Sequence, residues 1–402
     1  MNWIIKLLII ISLAGCSIGR QKQVWLTGLH NCHEADTRNV VRVYFDKFGN
    51  LYPKKEIYIP YKSFFDGNKS NEYSGSLKYY FTGQNRNKED EDVFRVRSKN
   101  LAEEYGINNQ LPFDTIFKKS QDLIIKEHTS KLKELINSNE SKTLVILIHG
   151  FNDPNPTGDY QLIRDNIRKL ELDTNYIYLE LFWDGLTANG ANPGLSKIWG
   201  RAQLNTSYVA YSLRRIINLL EPSTKIRFIT HSSGGIIATS CLFNTFSKYK
   251  NVTKYNYYDL LMNTPAPIQN DIRVAMLAPA LPGVATFMDF NCRDGNQEVH
   301  PDSNNISKVL VGYNKNDLAT AKIVGKIRAP RKIGATSLGC DAKNEVRETI
   351  KTLDELGYLN NNPIVPINFT NCPKSKKPEE HGCYYYLQNK DKTKTMLNQL
   401  FK

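Results

Sequence analysis

Ser232 stands in the run Thr230-His231-Ser232-Ser233-Gly234-Gly235. A serine hydroxyl is a useful nucleophile only when a base takes its proton and a carboxylate orients that base. The run follows Lys225-Ile226-Arg227-Phe228-Ile229, which reads as a strand. It precedes Ile236-Ile237-Ala238-Thr239-Ser240-Cys241-Leu242-Phe243, free of proline and apolar at helical spacing. A serine on a tight strand-to-helix turn is strained, so that its hydroxyl projects beside the positive end of the helix. Strand and helix pass close together there, so residues two positions before and after the serine must be small. Gly234 meets this demand on one side, and Thr230 stands on the other. Were Ser233 the nucleophile, His231 would occupy a flanking place too small for it, so Ser232 is preferred. The competing reading is an ordinary helix N-terminus with a serine cap.

A base and an acid must then be brought to the same sheet edge. The apolar run Thr143-Leu144-Val145-Ile146-Leu147-Ile148 reads as a central parallel strand buried on both faces. Strands at 176–183, 226–229, 274–278, 308–313 and 364–369 alternate with helices at 120–138, 159–170, 205–220, 233–243 and 345–356, and a terminal helix falls within 384–401. This alternation predicts an α/β fold with a mostly parallel central sheet and helices on both faces. Runs at 39–45, 56–60 and 77–81 predict strands at the front of the chain, with antiparallel pairing at that edge and a β-rich part over about 36–115. Residues 85–92 read as a charged loop. Active sites of open α/β sheets form at the carboxyl ends of strands. Of the seven histidines, His30, His33 and His128 precede the central strand, His149 ends it, and His231 belongs to the serine run. His300 lies ahead of the strand at 308, and only His381 follows the last strand. Asp317 lies just past the strand ending at Tyr313, which gives the order Ser232, Asp317, His381. The bland alternatives are a helix cap for Asp317 and a surface residue for His381.

With those residues in that order, the chain resembles the α/β-hydrolase superfamily of serine esterases and lipases, from about residue 143 onward. His149-Gly150-Phe151-Asn152 is similar to the His-Gly motif that opens the oxyanion loop in that family, in a bacterial subgroup of largely unassigned substrate. The resemblance implies an α/β-hydrolase fold, cleavage of carboxylic ester bonds, and a small-molecule or lipid ester as substrate. It also implies an oxyanion hole from the backbone N–H groups of Phe151 and Ser233, a structural role for His149, and no metal or organic cofactor. A lid is expected within 283–305, where Phe287, Met288 and Phe290 could line an acyl pocket or simply pack. An amidase, peptidase or acyltransferase would use the same groups, and a non-catalytic envelope lipoprotein of this fold is the reading from another class.

The start of the chain carries a second signal. A basic opening, the apolar stretch Leu7-Leu8-Ile9-Ile10-Ile11-Ser12-Leu13 and the ending Leu13-Ala14-Gly15-Cys16 have signal-peptide proportions. The ending resembles the lipobox of bacterial lipoproteins. This implies a signal peptide over 1–15, a lipid on Cys16, a tether over 16–35 and one extracytoplasmic domain over 36–402, anchored at the bacterial cell envelope. Six further cysteines would then face an oxidising compartment. Cys372 and Cys383, close together and bracketing His381, are the expected disulfide, and Cys241 is an expected buried thiol. The cluster His30-Asn31-Cys32-His33-Glu34 lacks a second ligand group at zinc spacing and reads as a loop. The formal charge of +13 comes from lysines scattered among polar residues, with no basic-aromatic pattern for nucleic acid.

Overall fold

The computed structural model describes residues 36–54, 56–60, 64, 75–83, 91–140, 142–151, 153, 156–170, 175–184, 194–243, 268–281, 283–287, 306–321, 323–324, 327–328, 337–341, 344–357, 364–370 and 380–402. The chain begins there with strand β1 (Val40–Tyr44) and helices α1 (Leu77–Thr82), α2 (Glu91–Glu104) and α3 (Phe113–Asn137). Strands and helices then alternate as far as β5, in the order β2 (Thr143–Ile148), α4 (Pro156–Arg168), β3 (Ile177–Phe182), α5 (Gly194–Asn218), β4 (Lys225–His231), α6 (Gly234–Phe243) and β5 (Ile272–Leu277), and β6 (Ile306–Tyr313) comes next. A two-stranded antiparallel ribbon, β7 (Ile323–Val324) with β8 (Ile327–Arg328), precedes α7 (Glu345–Glu355), β9 (Ile364–Asn368), α8 (Cys383–Gln388) and α9 (Lys390–Phe401).

Seven strands form one sheet in the order β1-β3-β2-β4-β5-β6-β9, and every neighbouring pair is parallel. From β2 the chain steps outward to β3, then crosses back to place β4 on the other side of β2. That reversal opens a crevice at the carboxyl ends of β2 and β4, where ligands bind in sheets of this kind. The six residues of β2 are all buried because helices cover both faces. On one face α3, α5, α6 and α7 contribute Leu132, Leu213, Ile237 and Leu353 to a core with Leu144 and Ile146. On the other, α1, α4, α8 and α9 bring Phe81, Ile163, Tyr386 and Leu397 against Val145 and Leu147. Edge strand β9 tolerates Pro366, which pairs with Val311 without needing an N–H on its open side.

The front of the chain differs from its sequence reading. β1 lies at the sheet edge, but it runs parallel to β3, and among the described residues no antiparallel strand borders the sheet there. Residues 56–60 form a turn and an irregular stretch instead of a strand. Leu77-Lys78-Tyr79-Tyr80-Phe81 has strand composition yet forms α1, because its ends carry helix stops. The Ser76 hydroxyl accepts from the Tyr79 N–H, and Gly83, at φ 64°, takes the left-handed C-cap. Leu77, Tyr80 and Phe81 then bury on one face at helical spacing. The charged stretch that read as a loop runs into α2, which buries Phe94, Ser98, Leu101 and Ala102. Among the described residues of this region, the regular elements beyond β1 are helices.

Beside β1 the second core encloses charge. Glu180 of β3, with no exposure, takes the Arg42 guanidinium of β1 at 2.8 Å and the Arg164 guanidinium of α4. Both arginines are themselves buried. Removing one member of such a group leaves an uncompensated interior charge, whereas replacing all of them with apolar residues is often nearly neutral. Glu180→Ala is therefore expected to lower unfolding free energy in urea by about 3–5 kcal/mol. The triple replacement Arg42→Met, Glu180→Leu, Arg164→Met should recover most of that loss.

Candidate active site

The loop after β2 is built on His149, which is 1% exposed. The Trp183 N–H at the end of β3 donates to His149 Nε2 at 3.2 Å, so Nδ1 carries the proton and donates to the Gly150 carbonyl at 2.8 Å. In return the His149 N–H donates to the Tyr160 hydroxyl of α4 at 2.9 Å, and the Trp183 indole N–H donates to the His149 carbonyl at 3.0 Å. The two rings stack at 5.5 Å. Burial pulls the His149 pKa down to about 4, against the Gly150 hydrogen bond, so the ring stays neutral and keeps this tautomer. His149 thus ties the first residues of the Gly150-Phe151 loop to β3, and Trp183 packs on that loop.

The turn after β4 is held as tightly. Ser232 has φ 52°, a left-handed conformation that a serine adopts only when its surroundings enforce it. Its N–H donates to the Leu277 carbonyl at 2.9 Å, and its carbonyl accepts from Gly235 and Ala280 at 3.2 and 3.1 Å. A Cβ on Gly234 would lie 2.6 Å from the carbonyl oxygens of both Ile148 and His149. A Cβ on Gly150 would lie 2.9 Å from the Ser232 Cβ. Gly234 is therefore the small residue the turn demands, which sets the register on Ser232. The unusual Thr230 is accommodated because its side chain faces Gly235, where a Cβ would lie 3.6 Å from Thr230 Oγ1. Its hydroxyl is buried without a partner among the described residues.

Residues from the segments that follow β6 and β9 converge on Ser232, which follows β4. His381 Nε2 lies 2.9 Å from Ser232 Oγ, and His381 Nδ1 lies 2.8 Å from Asp317 Oδ2. A carboxylate only accepts, so Nδ1 holds the proton and Nε2 is free to accept the Ser232 hydroxyl. Asp317, with no exposure, follows β6 by four residues. Its other oxygen accepts from the Ala319 and Thr320 N–H groups at 3.0 and 3.1 Å, so it also caps the next turn. Asp341 is engaged elsewhere, by the Val346 N–H and Lys315. Burial lowers the His381 pKa, but the charge and hydrogen bond of Asp317 outweigh it and leave the pKa raised above its ordinary 6.5. Tyr386 of α8 is buried near Asp317; burial and that charge push its phenol well above 10.

The structure thus brings Ser232, Asp317 and His381 into one line at the sheet's carboxyl edge. Gly150 and Ser232 abut, and Phe151 and Ser233 are the next residues of the two segments. Ser233 immediately precedes α6, at the helix's positive end. Two groups went unread in the sequence: His231, whose Nε2–H donates to the His381 carbonyl at 2.7 Å, and Asn314, whose amide reaches the Glu380 carbonyl at 3.4 Å. Phe287 is core packing, fully buried edge-on to Phe243 at 5.5 Å. Met288 and Phe290 lie outside the described residues, as do Cys16 and the cluster at 30–34.

The expected Cys372–Cys383 disulfide is corrected. Cys383 is a buried free thiol at the first residue of α8, among the aromatic side chains of the second core. Cys372 lies outside the described residues. Cys241 is a buried free thiol as well. Among the described residues no three His, Cys, Asp or Glu side chains are grouped to hold a metal, and no helix is long and apolar enough to cross a membrane. In comparisons with known proteins, no family model and no curated protein matches the chain.

The register argument has a direct test. Gly234→Ala puts a methyl against two backbone oxygens that cannot yield, and is expected to destabilise by about 1–3 kcal/mol. Gly235→Ala meets only the movable Leu281 side chain at 3.3 Å and should stay within about 1 kcal/mol of the parent. Paired chemical denaturation of the two variants measures the difference.

Proposed function

We propose that the chain is a serine hydrolase of the α/β-hydrolase type that cleaves carboxylic ester bonds through an acyl-enzyme. One observation carries this reading: the unbroken hydrogen-bonded line from Ser232 Oγ through His381 to buried Asp317, with the serine on a left-handed turn. Ser232 attacks the ester carbonyl while His381 Nε2 takes its proton. Asp317 holds the imidazole in the reactive tautomer and stabilises the imidazolium. The N–H groups of Phe151 and Ser233 receive the negative charge on the tetrahedral oxygen, an effect worth roughly 10²–10³ in rate for one such donor. His381 then protonates the leaving alkoxide, and water repeats the cycle on the acyl-enzyme. No step calls for a metal or an organic cofactor.

The same proposal takes the chain as a lipoprotein of the bacterial cell envelope, carried by Cys16, so that the substrate is a small-molecule or lipid ester near a membrane. The lipobox-like Leu13-Ala14-Gly15-Cys16 supports it. Cys16→Ser should abolish metabolic palmitate labelling and release the protein from the membrane fraction.

The chemistry is tested with a graded set of p-nitrophenyl esters. Ser232→Ala should lower kcat by at least about 10⁴-fold and abolish fluorophosphonate labelling. Ser233→Ala should still label. Equal turnover by the parent and Ser232→Ala would remove the enzyme reading.

The pH profile follows from the sign of the His381 shift. His381 must be neutral to accept the proton, and its pKa is raised above 6.5. The rate should therefore fall as pH drops through a midpoint above 6.5. His231, pulled down to about 3, and His149, at about 4, stay neutral throughout that range. A kcat/KM profile between pH 5 and 9 checks this.

A further inference from the structure

His381 is carried by neither a strand nor the body of a helix. It sits in a short 3₁₀ turn at residues 380–381, immediately before α8. Its backbone must therefore be fixed by contacts from elsewhere, and two side chains supply them. His231, the last residue of β4, donates its Nε2–H to the His381 carbonyl at 2.7 Å. Asn314, one residue past β6 and with no exposure, donates to the preceding carbonyl, that of Glu380.

The His231 contact is the stronger of the two. The two imidazoles are 5.1 Å apart between centroids, and His231 is 9% exposed, so water does not compete for the bond. Burial, then the neighbouring His381, disfavours a charge on His231. A neutral imidazole has one donor, and His231 commits it to this carbonyl. The other nitrogen, Nδ1, has no partner among the described residues and would lie 3.1 Å from a Cβ on Gly150. The ring is thus wedged between the loop after β2 and the segment that carries His381.

We infer that His231 is a positioning residue, a clip that holds the His381 backbone to the strand bearing Ser232. This rests on reading Ser232, His381 and Asp317 as the reacting groups. Nucleophile and base are then located by adjacent residues of one strand end, although His381 lies 150 positions further along the chain. A displacement of about 1 Å between such groups costs on the order of 10²-fold in rate. Holding the carbonyl holds the ring that follows from it, at 2.9 Å from Ser232 Oγ and 2.8 Å from Asp317.

The test compares the full chain with His231→Leu and His231→Gln, the second of which retains an N–H near the Nε2 position. Three quantities are measured: kcat and KM on a p-nitrophenyl ester, the thermal midpoint, and the His381 titration by NMR on histidine-labelled protein. His231→Leu should lower kcat by about 10–100-fold with KM within about twofold. It should also bring the His381 midpoint down toward 6.5 as the Asp317 contact loosens, while Asp317, Ser232 and Asn314 remain in place. His231→Gln should recover most of both effects. If His231→Leu does not fold, His231→Asn, with an amide one carbon short of the carbonyl, takes its place with the same expectation. An unchanged kcat and His381 midpoint in the Leu or Asn variant overturns the inference. So does a Gln variant no better than Leu when both unfold at the parent temperature. If the parent itself shows no Ser232-dependent turnover, the enzyme reading fails, and the NMR midpoints alone decide whether the clip exists.

Discussion

At Gly234 the backbone of the turn after β4 lies against the backbone at the end of β2, with room between them for a hydrogen and nothing larger. The rest of the site depends on that contact. It brings the strained Ser232 beside Gly150, and so beside the loop that His149 ties to β3. It also lets α6 start directly behind the serine, so that the helix's positive end lies beside Ser232. The contact exists only because the chain reverses direction across the sheet between β2 and β4, which leaves two strand ends adjacent with no connection between them. Topology opens the crevice, and one missing side chain allows its two walls to touch.

The polar groups that enforce this geometry are interior ones. His149 makes four hydrogen bonds to the ends of β3, α4 and its own loop, and its low pKa keeps the pattern from scrambling. The Arg42–Glu180–Arg164 group secures the outer side of β3, and β3 is the strand that carries Trp183 to His149. Buried polar groups left half-satisfied weaken a fold, whereas satisfied ones rigidify it. His149 is the satisfied one, and it lies on the path from β3 to the Gly150-Phe151 loop. The Thr230 hydroxyl, facing Gly235 without a partner among the described residues, is the cost of placing threonine where a smaller residue would fit.

How much of this was legible in the sequence follows from how local each signal is. The parallel core strands are apolar on both faces and flanked by turns, and they were readable from composition alone. The elbow was readable because strand, small residues and helix occur within twenty positions. Asp317 and His381 were readable because each follows a strand end, which needs only the order of elements. The front of the chain was misread for the opposite reason. Leu77-Lys78-Tyr79-Tyr80-Phe81 has strand-favouring side chains, yet the Ser76 hydroxyl and the Gly83 N–H impose a helix by bonding the Tyr79 N–H and carbonyl. The direction of β1 depends on a crossover of more than a hundred residues to β3, and no local pattern encodes it. The hydrogen bond from His231 to the His381 carbonyl is equally distant in sequence, so nothing in either stretch announces it.

Asp317 divides its two oxygens between separate tasks, one closing the turn after β6 and one facing His381. The two members of the pair are consequently unequal under mutation. Loss of the imidazole leaves the turn at residues 318–320 closed. Loss of the carboxylate both breaks the His381 contact and opens the turn. In a lineage of such chains the histidine would therefore be expected to vary before the aspartate, whose second oxygen keeps a structural task that no change at residue 381 removes.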